Sequence, residues 1–312
     1  MKVLITGGLG FQGTNLSKAL LERGYTVFSL NTPSVDAQRN LSWLQENTNT
    51  INHKVLWASI TDKETLERII PQVDVIFHLA AKVNVDESIT NPDVFYETNI
   101  QGTYNILNMA LKNNTRVIMA STCEVYGGGD ALDENSPLLP KSPYGASKTA
   151  ADRIGFVYNE TFKLPVDIVR PFNVYGPLQK EGNKGAVIAI FFKKILNGEK
   201  LQIHGDGKQG RDFIFIDDVV KGYLCILDNE NKNECNVYAF GTGISTTIMD
   251  LINIISDIVG KPLNYEFVNG RRGQIDYFIA KKNLNDYFGY VGKPVTIREG
   301  LEKYYKFRFK GD

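Results

Sequence analysis

Lys2-Val-Leu-Ile-Thr6-Gly7-Gly-Leu-Gly10-Phe11-Gln12-Gly13-Thr-Asn15 runs from a short apolar stretch through a glycine loop into a helical pattern. Three glycines at Gly-x-x-Gly-x-x-Gly spacing let backbone come close to a pyrophosphate and let the helix pack tightly on the strand. The helix N-terminus favours the anion. Such a loop alone also reads as a plain tight turn; between a strand and a helix it predicts a dinucleotide site.

Moving outward, Val3–Thr6 reads as a strand and Asn15–Arg23 as a helix closed by Gly24. Further apolar runs follow at Thr26–Leu30, Lys54–Ala58, Val73–Leu79, Arg116–Ala120 and Val166–Arg170. Helical patterns separate most of them, at Lys63–Ile70, Asp93–Lys112 and Tyr144–Phe162. Regular alternation predicts an α/β fold, a Rossmann-type doubly wound parallel sheet over residues 1–170. Asn31–Asn52 is polar and poorly periodic and reads as a loop with a short helix. After Pro171 the rhythm loosens, with helices expected at Ala186–Leu196 and from Asp217 and Thr247 and short strands around Gln202 and Phe213. Residues 171–312 are therefore expected to form a smaller, interleaved substrate-binding lobe.

The 312 residues carry no net charge, so no bulk attraction to nucleic acid or an anionic membrane is expected. Three cysteines at wide spacing fit neither a disulfide framework nor a zinc site, and Cys225 reads as core. None of the three histidines is paired at ligand spacing, so no metal is expected. No apolar run reaches membrane-spanning length, and the first residues lack signal-peptide architecture. A soluble cytoplasmic protein is expected.

The chemistry is concentrated in two segments, Ser121-Thr-Cys-Glu-Val-Tyr-Gly127 and Ser142-Pro-Tyr-Gly-Ala-Ser-Lys148. Tyr144 and Lys148, one turn apart, share a helix face. A lysine near a phenol stabilises the phenolate and lowers its pKa. Such a phenol can take a proton from a hydroxyl while hydride leaves the carbinol carbon, and Thr122 can hold the same hydroxyl. Glu124 supplies a carboxylate that alcohol oxidation alone does not need. Asn31 ends the second strand where an acid would bind the adenosine ribose. An amide still bonds a diol but does not repel a 2′-phosphate, so NAD is favoured with NADP left open. Arg39 reads as a solvated residue or a phosphate contact.

The chain resembles extended short-chain dehydrogenases/reductases that act on nucleotide sugars. The resemblance rests on the glycine loop and the two segments above, together with His78-Leu-Ala-Ala81 and Glu97-Thr-Asn99. It continues through Arg170-Pro-Phe-Asn-Val-Tyr-Gly-Pro177, Gly205-Asp-Gly-Lys-Gln-Gly-Arg-Asp-Phe213 and Arg271-Arg-Gly-Gln274. It implies that Gly7, Gly10, Phe11, Gln12 and Gly13 hold NAD, with Leu79, Ala80 and Ala81 lining it. Tyr144 becomes the base at carbon 4, and Lys148 binds the nicotinamide ribose. Asn99 braces the active-site helices. Lys82, Asn173, Arg211 and Arg271 are expected on the substrate, the last three at its diphosphate. Two positions depart from the family pattern: Asn31, and Ser59, beside Ile60, where an aspartate near the adenine is usual.

Glu124 matches the residue that removes the carbon-5 proton in 4,6-dehydratases, and Cys123 replaces the acid that helps the carbon-6 hydroxyl leave. A free thiol, of ordinary pKa about 8.5, is a weak donor at neutral pH. Cys123 also reads as a small buried thiol without chemistry. The Ser121–Gly127 stretch is similar to that of UDP-N-acetylglucosamine 5,6-dehydratases. The resemblance thus implies an NAD-dependent nucleotide-sugar dehydratase on a UDP-linked hexose, by 4,6- or 5,6-elimination. A UDP-sugar 4-epimerase and a UDP-glucuronate decarboxylase are the alternatives, and a non-catalytic scaffold is disfavoured by Tyr144 and Lys148. Relatives pair helices equivalent to Asp93–Lys112 and Tyr144–Phe162 across a two-fold axis, which implies a homodimer; the apolar Ile100, Leu107, Ile154 and Val157 that recur on them also read as packing against the chain's own sheet.

Overall fold

A computed structural model describes residues 1–180, 186–229, 235–270 and 275–309. The first five strands of the large sheet are β1 (Lys2–Thr6), β2 (Thr26–Asn31), β3 (His53–Trp57), β4 (Val75–His78) and β5 (Arg116–Ala120). Strands Val166–Pro171 and Val237–Phe240 complete it. All seven are parallel, and the order across the sheet is 237–240, 166–171, β5, β4, β1, β2, β3. This is the Rossmann-type arrangement, with its topological switch between β1 and β4.

Alternation along each strand feeds two cores. On β1, Val3 and Ile5 join Leu16 and Leu20 of helix α1 (Phe11–Glu22) and Val219 and Tyr223 of helix Ile216–Asp228. Leu4 points the other way, to Ile106 and Leu107 of helix Gly102–Asn113 and Ala151 of helix Pro143–Phe162. Each such side chain contributes roughly 1.5–3 kcal/mol by burial, so a sheet covered on both faces is strongly specified.

Three sequence expectations are corrected. Asn31–Asn52 contains a regular helix α2, Val35–Asn47, capped by Ser34, whose side chain accepts from Ala37 N–H. Its inward face is confined to Ala37, Asn40 and Leu44, so the sequence carries little apolar period. The stretch from Asp93 is not one α-helix. It opens with a single turn at Asp93–Phe95 and passes through a π-helical turn, Tyr96–Gln101, before becoming α-helical at Gly102. Cys225 is half-buried, not in the core, because the apolar stripe of its helix runs through Val219, Tyr223 and Ile226.

A second, smaller sheet draws mostly on residues beyond 171, with one strand from before that point. Strands Gly129–Leu132, Tyr277–Ala280, Gly210–Phe215 and Ser245–Thr247 make a mixed sheet, with Asn173–Tyr175 beside Gly210–Phe215. Strand 237–240 and helix Ile216–Asp228 return to the large sheet, so the two regions interleave. Asp212 fastens the second layer: its buried carboxylate accepts from Thr242 N–H and Oγ1–H, Gly243 N–H and Ala280 N–H.

Candidate active site

The glycine loop turns at Gly7, whose φ of +71° is unfavourable for any other residue and whose missing Cβ lets it lie against Ala80. At Gly13 a Cβ would stand 2.1 Å from the Gly7 carbonyl oxygen, so α1 can pack this closely on the loop with glycine alone. Helix α1 starts at Gly10 with no side-chain cap and no acid in its first turn, which leaves its first N–H groups suited to an anion. Ser121 Oγ, at the end of β5, is buried without a partner. A phosphate cradle, an orphaned hydroxyl and a buried ammonium at Lys148 fit NAD. Phe11 packs partly buried on the core, and Gln12 Oε1 accepts from Tyr223 hydroxyl at 3.1 Å.

On the adenosine side, Asn31 is engaged by the glycine loop. Asn31 Oδ1 accepts from Leu9 N–H at 3.2 Å and its amide donates to the Thr32 carbonyl, while Asn40 of α2 donates to the Leu9 carbonyl at 3.0 Å. Asn31 therefore braces the glycine loop. Ser59 Oγ caps Thr61 N–H and pairs with Thr61 Oγ1, and Ile60 packs where a side chain at Gly102 would stand. Arg39 lies 3.6 Å from Asp36 and bonds Asn40.

The catalytic segments meet where β5 ends. Thr122 caps the tight turn Cys123–Tyr126 by accepting from Glu124 N–H, and it also hydrogen-bonds the Tyr144 hydroxyl. Helix Pro143–Phe162 begins with proline at its first position and Ser142 as its cap, accepting from Gly145 N–H. Gly145 permits close approach, since a Cβ there would lie 3.0 Å from the Glu124 carbonyl oxygen. Tyr144 stands edge-on to Phe95. Thr122, Glu124 and Tyr144 thus lie together, with Lys148 one turn further along the same helix.

Their electrostatics differ in part from expectation. Burial pushes the Tyr144 phenol well above its usual range, opposed by the Thr122 hydrogen bond and reinforced by Glu124. Lys148 points its Nζ to the Ala120 carbonyl oxygen at 2.6 Å, and burial lowers it to about 8 despite Asp152. The phenol is not lowered by the lysine in this arrangement. Glu124, half-buried, is raised by burial and pulled back by Arg211.

Of the two readings of Cys123, its surroundings favour the buried thiol. It is 4% exposed and packs with Val125, Leu132, Phe172 and Phe278. Burial, with Glu124 next, pushes its thiol well above its ordinary value. A thiol raised in this way is a weaker acid than a free one.

Among the expected substrate contacts, Arg211 lies over the Phe278 ring and donates to the Gly210, Ile275 and Asp276 carbonyls. It is therefore a charge partner of Glu124, which the motif alone does not reveal. Asn173 donates to the Asp212 carbonyl, one residue from Arg211. Lys82 is exposed, with its main chain clamped by Asn99 through N–H to Oδ1 and Nδ2 to carbonyl. Arg271 lies outside the described residues.

Sequence reasoning also missed a buried ion pair behind the site. Arg170 bonds both oxygens of Asp152, one turn beyond Lys148, and reaches the Tyr126 hydroxyl and the Glu134 carbonyl. An acid one turn after Lys148 was the available signal.

Similarity to known proteins agrees with this geometry. The NAD dependent epimerase/dehydratase family matches residues 3–241. The dTDP-D-glucose 4,6-dehydratase of Homo sapiens is 32% identical over 315 residues, covering 97% of this chain and 88% of the relative. The dTDP-glucose 4,6-dehydratase DesIV of Streptomyces venezuelae, solved with NAD bound, superposes with a TM-score of 0.89 at 31% identity, covering 100% of this chain and 98% of that one. The UDP-N-acetylglucosamine 4-epimerase of Methanobrevibacter ruminantium M1 superposes at 0.90 with 31% identity, covering 100% and 99%. With its glycine loop, its Tyr144–Lys148 pair and this match over most of its length, the chain belongs to the NAD dependent epimerase/dehydratase family.

Proposed function

We propose that this protein is an NAD-dependent nucleotide-sugar dehydratase acting on a UDP-linked hexose such as UDP-N-acetylglucosamine. The observation that carries the reading is Glu124, a carboxylate beside Thr122 and Tyr144 with its own charge partner in Arg211. Bound NAD supplies a hydride acceptor and donor, held by Gly7, Gly10, Gly13, Lys148 and Ser121. Thr122 orients the carbon-4 hydroxyl and Tyr144 takes its proton; the Thr122 hydroxyl is the group that favours the ionised phenol. A carbon-4 ketone acidifies the neighbouring C–H, and Glu124 removes the carbon-5 proton.

The raised pKa of Glu124 helps it keep that proton and pass it to the departing carbon-6 hydroxyl. One proton and one hydroxide leave as water, so this route draws no proton from Cys123. Asn173, Arg211 and Arg271 are proposed at the diphosphate, Arg211 turning part of its guanidinium from main-chain carbonyls to phosphate oxygens.

A 4-epimerase is the second reading, favoured by the likeness to the Methanobrevibacter epimerase and served by Thr122, Tyr144 and Lys148 alone. Glu124→Gln separates the two in deuterated water. A dehydratase loses carbon-5 exchange and product, whereas an epimerase keeps most of its turnover. Survival of exchange in this variant would overturn the proposed role of Glu124.

No helix among the described residues is long and apolar enough to cross a membrane. We propose a cytoplasmic homodimer through the outer faces of helices Gly102–Asn113 and Pro143–Phe162, where Tyr104 and Val157 are exposed. Leu107 does not contribute, being wholly buried in the chain's own core.

A further inference from the structure

His78 ends β4 immediately before the Leu79–Ala81 segment that the family places against the cofactor. It is 1% exposed, and both ring nitrogens are engaged. Nδ1 lies 2.8 Å from Thr6 Oγ1 and Nε2 lies 2.9 Å from Thr103 Oγ1. The neighbours decide which nitrogen carries the proton. Thr103 has one hydroxyl proton and gives it to the Asn99 carbonyl at 2.6 Å. The bond to Nε2 must then use the imidazole N–H. Nδ1 is left as an acceptor for the Thr6 hydroxyl, and Thr6 Oγ1 accepts from Ala80 N–H at 3.2 Å.

The chain continues without a free proton. Asn99 accepts from Lys82 N–H, gives one amide proton to the Lys82 carbonyl and the other to Ser147 Oγ at 2.9 Å. Ser147 donates to the Tyr144 carbonyl at 2.7 Å. Thr6, His78, Thr103, Asn99 and Ser147 are all buried, so each lost partner leaves an unsatisfied polar group.

We propose that His78 is a positioning residue for the reaction. Fixed as its Nε2–H tautomer, it locks the Leu79–Lys82 bed to the π-helical turn at Asn99, and through Ser147 to the residue that carries the phenol. This uses Tyr144 as the site's base but not the identity of the sugar. Lys148 is the charged group that faces the ring, and it opposes a second proton there.

Nitrogen-15 histidine spectra of the full-length protein test the assignment without turnover. The three histidines are told apart with His53→Gln and His204→Gln variants. His78 is expected to show a bare Nδ1 and a protonated Nε2, unchanged from pH 8 to pH 5. The opposite tautomer, or a titration near the ordinary histidine value, overturns the proposal. Calorimetry with NAD gives the second arm. Thr103→Val should weaken NAD binding about tenfold, the scale of one lost buried hydrogen bond. Thr103→Ser, which keeps the hydroxyl, should bind as the parent does. Equal affinity for all three proteins would also overturn it. If Thr103→Val fails to fold, the spectra of the parent still decide.

Discussion

At the scale of single residues, Glu124 and Cys123 divide the roles that their adjacency suggests they share. Glu124 faces Arg211 and the Tyr144 phenol, while Cys123 turns into an apolar cluster with Phe172 and Phe278. Cys123→Ala is therefore expected to keep most of the turnover. Cys123→Ser puts a hydroxyl among apolar side chains and should lower stability by about 1–3 kcal/mol. Thermal denaturation beside steady-state kinetics checks both; loss of turnover in a folded Cys123→Ala protein would return the thiol to the mechanism. The sequence makes the chemistry at both positions legible, but not the direction each side chain takes. Consecutive residues of a tight turn diverge, and strand Tyr277–Ala280, which walls off Cys123, arrives from far along the chain.

Element by element, strands and helices with strong apolar periods are read correctly from the sequence, and those specified by a few polar contacts are not. Helix α2 buries three residues and is held by the Ser34 cap and the Asn40 bond to the glycine loop. The π-helical turn is specified by Asn99 reaching Lys82 and Ser147, contacts that exist only once two other elements are in place. The glycine loop is the opposite case, since its spacing carries its geometry. Gly13→Ala would drive a methyl into the Gly7 carbonyl. The expected cost is about 1–3 kcal/mol, as for other overpacked sites, with a larger loss of NAD affinity. Calorimetry of NAD binding reads the second effect; unchanged affinity in this variant would contradict the assignment of the loop.

Across the whole molecule, the active site is held between a sheet built early in the chain and a layer built late. Asp212 ties the late layer together and the Arg170–Asp152 pair ties helix Pro143–Phe162 to its neighbouring strand of the sheet, and neither appears in the periodicity that reveals the sheet. His78 makes the assembly sensitive to acid. Burial lowers it from 6.5 to about 3, so the folded protein keeps it neutral while the unfolded chain binds a proton below pH 6.5. Its contribution is complete above pH 6.5 and is lost as pH falls towards 3, at about 1.4 kcal/mol per unit. Denaturant unfolding at pH 7 and pH 5 should show this slope reduced in His78→Gln; an equal slope would contradict it.

The central claim is that the keto sugar formed here loses water instead of turning over. The most direct measurement is product mass after incubation with UDP-N-acetylglucosamine, UDP-glucose and UDP-glucuronate in deuterated water. The account predicts a product lighter by one water from a neutral hexose. It contains deuterium where hydrogen is returned to carbon 5, or a 5,6-alkene if the hydride goes back to carbon 4. A product of unchanged composition, inverted at carbon 4, would contradict the account and make the protein an epimerase; release of carbon dioxide from the uronate would contradict it as a decarboxylase.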